Sequence, residues 1–130
     1  MHPLGILETC LYVDDLAAAE MFYSQVLGLT PFSRVEKRHI FFRCGTGMLL
    51  LFNPTETVKK GDVPPHGAHG PGHIAFAIAP DQVAAWRERL QQHNVPIETE
   101  VTWPSGGQSL YFRDPAGNSL EVATAQVWTG

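Results

Sequence analysis

The chain has 130 residues, 44% hydrophobic and 17% charged, with a net charge of -4; this is enough for one globular domain and too short for two conventional ones. The acidic balance leaves no basic stripe for a polyanion, so nucleic-acid binding is not expected. No apolar run approaches the ~20 residues that span a bilayer, and the opening "MHPLGILETC" lacks the basic region and apolar stretch of a secretory signal, so no membrane contact and a cytoplasmic location are expected.

In chain order, "ILETCLYV" reads as a strand, and "DDLAAAEMFYSQVLG" sets Leu16, Ala19, Phe22, Tyr23, Val26 and Leu27 at helical spacing. Asp14 or Asp15 can cap that helix, and Gly28 can end it in the left-handed conformation. "RVEKRHIFFRC" and "GMLLLF" follow as strands around the turn "CGTG". The stretch from 53 to 72, rich in Pro, Gly and charge, reads as a connecting loop long enough to be a lid or simply a tether. "HIAFAI" is then a strand, Asp81 caps a helix carrying Val83, Trp86 and Leu90, Asn94 ends it, and "IETEV", "SLYFR" and "LEVA" complete the order. Cys10 and Cys44 read as reduced thiols without a catalytic role, and His66 and His69 as loop residues.

The second half repeats the first. "IFFRCGTGMLLLF" (40 to 52) aligns without a gap on "LYFRDPAGNSLEV" (110 to 122), and the opening strands align with Leu11 on Phe76 and Glu8 on His73. The expected fold is α+β: one domain over 1–130, built of two tandem βαβββ modules (4–54 and 72–125, linker 55–71) whose curved, mostly antiparallel sheet surrounds a concave pocket.

Strand alternation assigns the faces. Leu7, Leu11, Val13, Ile74, Phe76, Ile78, Leu110, Phe112, Leu120 and Val122 face the helices. The opposite, concave face then receives Glu8, Cys10, Tyr12, His73, Ser109, Tyr111, Arg113 and Glu121, and by the duplication His39, Phe41, Arg43, Leu49, Leu51 and Asn53. Two carboxylates and one imidazole, Glu8, His73 and Glu121, thus share a face, where a divalent cation would offset their desolvation. The fourth symmetry position, opposite Glu121, falls on Leu51, which cannot bind a cation.

The duplicated module, together with "LYVDDLAAAEMFYSQVLGL", "GPGHIAFAI" and "YFRDPAGNSLEV", resembles the vicinal oxygen chelate superfamily of glyoxalase I, fosfomycin-resistance enzymes, extradiol dioxygenases and bleomycin-resistance proteins, over about residues 4 to 125. The resemblance implies metal ligands from the first strand of each module and the last strand of a module, which here fall on Glu8, His73 and Glu121. It implies one divalent metal ion (Mn, Fe, Ni, Zn or Co, unspecified), a homodimer in which Glu8 joins His73 and Glu121 of the other chain, and a small-molecule substrate; a thiol cosubstrate is left open. Ser105, Ser109 and Tyr111 are substrate contacts by the same resemblance. His39 and Asn53 join them from the face assignment, and Trp103 as a pocket wall, with Trp128 as another or as a dimer contact.

The expected function is a metal-dependent lyase or isomerase of glyoxalase type, working through a metal-stabilised enolate or alkoxide, with Glu121, on leaving the metal transiently, as catalytic base and Glu8 second. Leu51 departs from glyoxalase I, and Glu8 replaces the histidine of dioxygenases and fosfomycin-resistance enzymes. The lysine and arginine that the latter place near the phosphonate correspond to Val101 and the chain end, so fosfomycin is not the expected substrate. The alternatives are a metal-free drug-binding protein of the bleomycin-resistance kind and an extradiol-type dioxygenase.

Overall fold

A computed structural model describes residues 1–129. The chain divides into two compact units, Met1–Gly70 and Pro71–Gly130. The first contains β1 (Glu8–Tyr12), α1 (Leu16–Gln25), β2 (Thr30–Val35), β3 (His39–Cys44), β4 (Gly47–Phe52) and the short α2 (Pro54–Thr57). The second contains β5 (His73–Ile78), α3 (Val83–Gln92), β6 (Thr99–Thr102), β7 (Gln108–Arg113) and β8 (Ser119–Thr124), with 3-10 turns at Pro80–Gln82 and Ala125–Trp128. The strand orders are β1-β4-β3-β2 and β5-β8-β7-β6. In each unit the first strand pairs parallel with the last, and the other pairs are antiparallel, so the fold is α+β with two mixed sheets.

Local chemistry accounts for the element ends. Asp15 caps α1, accepting the Ala18 N–H at 3.0 Å, and Gly28 (φ 71°) turns the chain out of that helix. Lys37, also at positive φ (66°), separates β2 from β3 within the stretch that reads as a single strand. Asp81 caps nothing with its side chain; it lies in the 3-10 turn that leads into α3. Asn94 takes the left-handed conformation (φ 56°) just past that helix, as its residue type favours.

The core of each unit lies on the helix side of its sheet. In the first unit Leu11, Val13, Ile40, Phe42, Leu49 and Leu51 are buried with Ala19 and Tyr23 of α1. In the second, Leu110, Phe112, Leu120 and Val122 are buried with Val83 and Leu90 of α3. Leu7, expected in this layer, precedes β1 and is exposed. No described helix is long and apolar enough to cross a membrane.

The register corrects one step of the repeat alignment. β3 and β4 join through the two residues Gly45 and Thr46, since Cys44 pairs with Gly47. In the second unit Asp114 N–H bonds to Asn118 O at 3.2 Å, leaving the three residues 115–117 between them, with Gly117 at φ 90°. The extra residue shifts the return strand by one, and a shift of one reverses the faces. Phe42 opposes Leu49 whereas Phe112 opposes Leu120, so the counterpart of Glu121 is Leu50, not Leu51. Leu49 and Leu51 consequently belong to the helix side, and Met48, Leu50 and Phe52 share the opposite face with Glu8, Cys10, Tyr12, His39 and Phe41. Asn53 does not continue that face. It caps α2, accepting the Thr55 N–H at 3.1 Å and donating to the Lys37 carbonyl at 3.1 Å.

Candidate functional site

The face away from the helix differs between the units. In the first it is occupied by rings: His39 stacks on Phe41 with centroids 4.0 Å apart, Phe41 and Tyr12 contact Phe52, and the linker folds back so that His66 meets Phe52 and bonds the Tyr12 hydroxyl at 2.6 Å. Arg38 donates to His39 Nδ1 at 2.6 Å; burial, and then the Arg38 charge, lower the His39 pKa. His39 is thus tied into an aromatic cluster.

In the second unit the counterparts of Tyr12 and Phe52 are Ala77 and Ala123, with Ala75 beside them, and the sheet floors a cavity of about 560 Å³ walled by Trp103, Tyr111, Val127 and Trp128. His73 and Glu121 are its titratable lining groups apart from Tyr111. Desolvation, followed by the Glu121 charge, raises the Tyr111 pKa, so its phenol stays protonated at neutral pH. The Tyr111 ring lies alongside His73 with centroids 6.4 Å apart.

His73 is placed by the entry to β5. Gly72 N–H donates to Asn118 Oδ1 at 2.8 Å, and Gly72 O accepts from Ser119 N–H at 2.9 Å, which fastens the start of β5 to β8. The His73 ring then puts Nδ1 2.9 Å from the Ser119 carbonyl oxygen. A carbonyl only accepts, so Nδ1 carries a proton, which leaves Nε2 as the ring's free position. It points at Glu121 Oε1, 3.4 Å away. Glu121 is 7% exposed, and its other oxygen accepts the Ser109 hydroxyl at 2.5 Å; that hydroxyl in turn accepts the Trp103 indole N–H at 2.9 Å.

With the ring neutral, Nε2 and Oε1 face each other as two electron-pair donors, and positive charge between them, whether a proton on Nε2 or a shared cation, joins them. The spacing suits a shared divalent ion, because two donors each about 2.1 Å from a tetrahedral ion stand roughly 3.4 Å apart. Among the described residues no three His, Cys, Asp or Glu side chains gather into a ligand set. His73 and Glu121 are the pair that the second unit assembles by itself; Glu8 opens β1 of the first unit and is exposed.

Of the other expected contacts, Tyr111 and Trp103 line the cavity. Ser109 is buried as the link between Trp103 and Glu121. Ser105 is exposed in the β6–β7 turn, where its hydroxyl meets the Gly107 N–H at 3.5 Å, and it does not line the cavity. Arg113 bonds Glu98 and the Gly117 carbonyl, and Arg43 lies over Phe32, so both are structural. The Trp103–Ser109–Glu121 chain went unread in the sequence; its only signal was a serine on the face of Glu121 two residues before Tyr111.

The family model for the glyoxalase/bleomycin resistance protein/dioxygenase superfamily matches residues 5–122. A crystal structure of lactoylglutathione lyase from Agrobacterium tumefaciens is 42% identical, with a TM-score of 0.94 and 98% of each chain covered. Among curated proteins, the metallothiol transferase FosB of Bacillus licheniformis is 29% identical over 126 residues, 96% of this chain and 78% of that protein. The glutathione transferase FosA of Serratia marcescens is 31% identical over 112 residues, 86% of this chain and 74% of that one.

Proposed function

The chain belongs to the glyoxalase/bleomycin resistance protein/dioxygenase superfamily, and we propose that within it the protein is a metal-dependent lyase or isomerase of glyoxalase type, acting on a small oxygenated or electrophilic substrate. One observation carries this reading: His73 Nε2, its tautomer set by the Ser119 carbonyl, faces Glu121 Oε1 at 3.4 Å on the floor of a 560 Å³ cavity. His73 and Glu121 would hold one divalent cation of the Mn, Fe, Ni, Zn or Co type, with Glu8 supplied by a second copy of the chain in a homodimer. Such an ion, when bound, polarises a substrate oxygen and stabilises negative charge developing on it.

The remaining work belongs to side chains. Glu121 Oε1, freed for the moment from its other partners, receives the proton from the hydroxyl-bearing carbon and returns it to the carbonyl carbon, while the hydroxyl proton passes to the former carbonyl oxygen, which converts a hydroxy-carbonyl pair into its isomer. Burial strengthens its electrostatic influence on a substrate and keeps competing water away. Tyr111, held protonated, donates a hydrogen bond to a substrate oxygen. Trp103 and Trp128 pack against the carbon part of the substrate. A thiol adduct of a 2-oxoaldehyde meets these requirements, and the thiol-using relatives FosA and FosB and the lactoylglutathione lyase support that class.

The test is elemental analysis of protein purified without added metal, followed by a turnover screen of 2-oxoaldehyde thiol adducts, epoxides and catechols. Near-stoichiometric divalent metal that disappears in Glu121→Ala, with turnover of the adducts, supports the proposal. The apolar walls Trp103, Val127 and Trp128 also suit the second reading, a metal-free binder of aromatic drugs. Absence of metal after reconstitution, with tight binding of an aromatic cation, would favour it.

A further inference from the structure

A chain of contacts behind Glu121 extends the functional reading above, on which it rests. A carboxylate oxygen only accepts, so the Ser109 hydroxyl directs its one proton to Glu121 Oε2 at 2.5 Å. An indole only donates, so the Trp103 Nε1–H fills a lone pair of the same hydroxyl at 2.9 Å. The direction of both bonds is thereby fixed. We infer that Trp103 and Ser109 are positioning residues which engage Glu121 Oε2 and turn the carboxylate so that Oε1 alone faces His73 Nε2.

The strand register makes the arrangement possible. Tyr111 lies opposite Glu121 and Ser109 opposite Ala123, so Ser109 shares the face of Glu121 at a diagonal position, within reach of a long side chain. Trp103, just beyond β6, reaches the same hydroxyl from the neighbouring strand's end. The terminal torsion of a glutamate is broad and nearly two-fold. Without the Ser109 proton both oxygens could present themselves to His73, and the single-oxygen orientation would have to be selected at each binding event. Ser109 is 1% exposed, so water cannot substitute for its hydroxyl in the native arrangement. Trp103 also lines the cavity, and its indole therefore reports on both the relay and whatever fills the pocket.

The test titrates Mn(II) or Ni(II) into the metal-stripped full chain by calorimetry, comparing wild type with Ser109→Ala and Trp103→Phe. Thermal melting of each metal-free protein controls for folding. Ser109→Ala is expected to weaken cation binding by about 10- to 100-fold, the usual effect of losing a partner of a metal ligand. Trp103→Phe keeps an aromatic wall and removes only the donor to the serine, so a loss of about 2- to 10-fold is expected. In a Trp86→Phe, Trp128→Phe background, Trp103 emission should shift on adding cation, and Ser109→Ala should abolish the shift at saturating cation. Wild-type affinity in Ser109→Ala overturns the positioning role and leaves the functional reading standing. A wild type that binds no divalent cation overturns that reading and the inference with it. Should Ser109→Ala fail to fold, Trp103→Phe decides: unchanged affinity there overturns the inference.

Discussion

Gly107→Ala tests whether the cavity wall is set by one close backbone approach. A Cβ built on Gly107 would stand 2.4 Å from Val127 N, 2.7 Å from Val127 Cγ1 and 2.8 Å from Val127 Cα. Two of these atoms are backbone, so no rotamer change relieves the contact, and restoring an ordinary 3.4 Å separation requires the Ala125–Trp128 turn to retreat by roughly 1 Å. Overpacking of this kind costs about 1 to 3 kcal/mol, offset by ~0.4 to 1 kcal/mol from the stiffer unfolded chain. The net loss, about 1.3 kcal/mol at the middle of these ranges and at most about 2.6, lowers Tm by about 5 °C and at most about 10 °C in a chain of this length. Because Ala125, Val127 and Trp128 wall the cavity, the same substitution should loosen ligand binding and shift tryptophan emission. Gly5→Ala, where nothing lies within 4 Å, is the control. Differential scanning calorimetry in which Gly107→Ala melts with Gly5→Ala, with emission unchanged, would refute the close-approach argument.

Three further expectations use other parts of the molecule. The His39 pKa is lowered by burial and by Arg38, so its stabilising contribution is present above the unfolded value near 6.5 and is lost as pH falls through the depressed folded value; urea denaturation at pH 7.5 and 5.5 should show a smaller drop in His39→Gln than in wild type. Asn118→Ala removes the acceptor of Gly72 N–H and the donor to Asp114 Oδ2, which should cost about 2 to 4 kcal/mol from two lost buried partners and raise amide exchange at Gly72, read by hydrogen-exchange mass spectrometry. Ala77→Tyr copies Tyr12, its first-unit counterpart, onto the cavity floor. It should abolish binding of an aromatic ligand in calorimetry while Tm moves little, since Ala77 is exposed.

Much of this was legible because strand alternation and helix spacing are local properties. Leu11, Val13, Phe112, Leu120 and Val122 lie in the core side expected of them, and Asp15, Gly28 and Asn94 act at helix ends through their own backbone chemistry. The pairing of His73 with Glu121 was legible as a shared face, since His73 opposes Ser119 and Ala75 opposes Glu121 on adjacent strands. What escaped was set by lengths and by contacts between strands. A gapless alignment cannot register that one hairpin turns in two residues and its twin in three, so Asn53, Leu49 and Leu51 were placed on the wrong face. Nor does alternation say which hydroxyl a buried glutamate will choose, and the Ser109 and Trp103 bonds arise only when β6, β7 and β8 are laid side by side.

The two units therefore show how one duplicated scaffold diverges through side-chain volume on a single face. At the positions where the first unit carries Tyr12, Leu50 and Phe52, the second carries Ala77, Glu121 and Ala123. The first set packs its own face with rings and so contributes stability by burial, about 1.5 to 3 kcal/mol for each large apolar side chain removed from water. The second set gives up that burial and leaves room above a carboxylate, whose desolvation is offset on one side by the Ser109 hydroxyl while its other oxygen faces the His73 imidazole. Packing and open space are thus divided between the halves: rings fill the first face, and the second keeps a cavity above its carboxylate. Ala77→Tyr tests the same division, since refilling the second face should abolish binding without unfolding the domain.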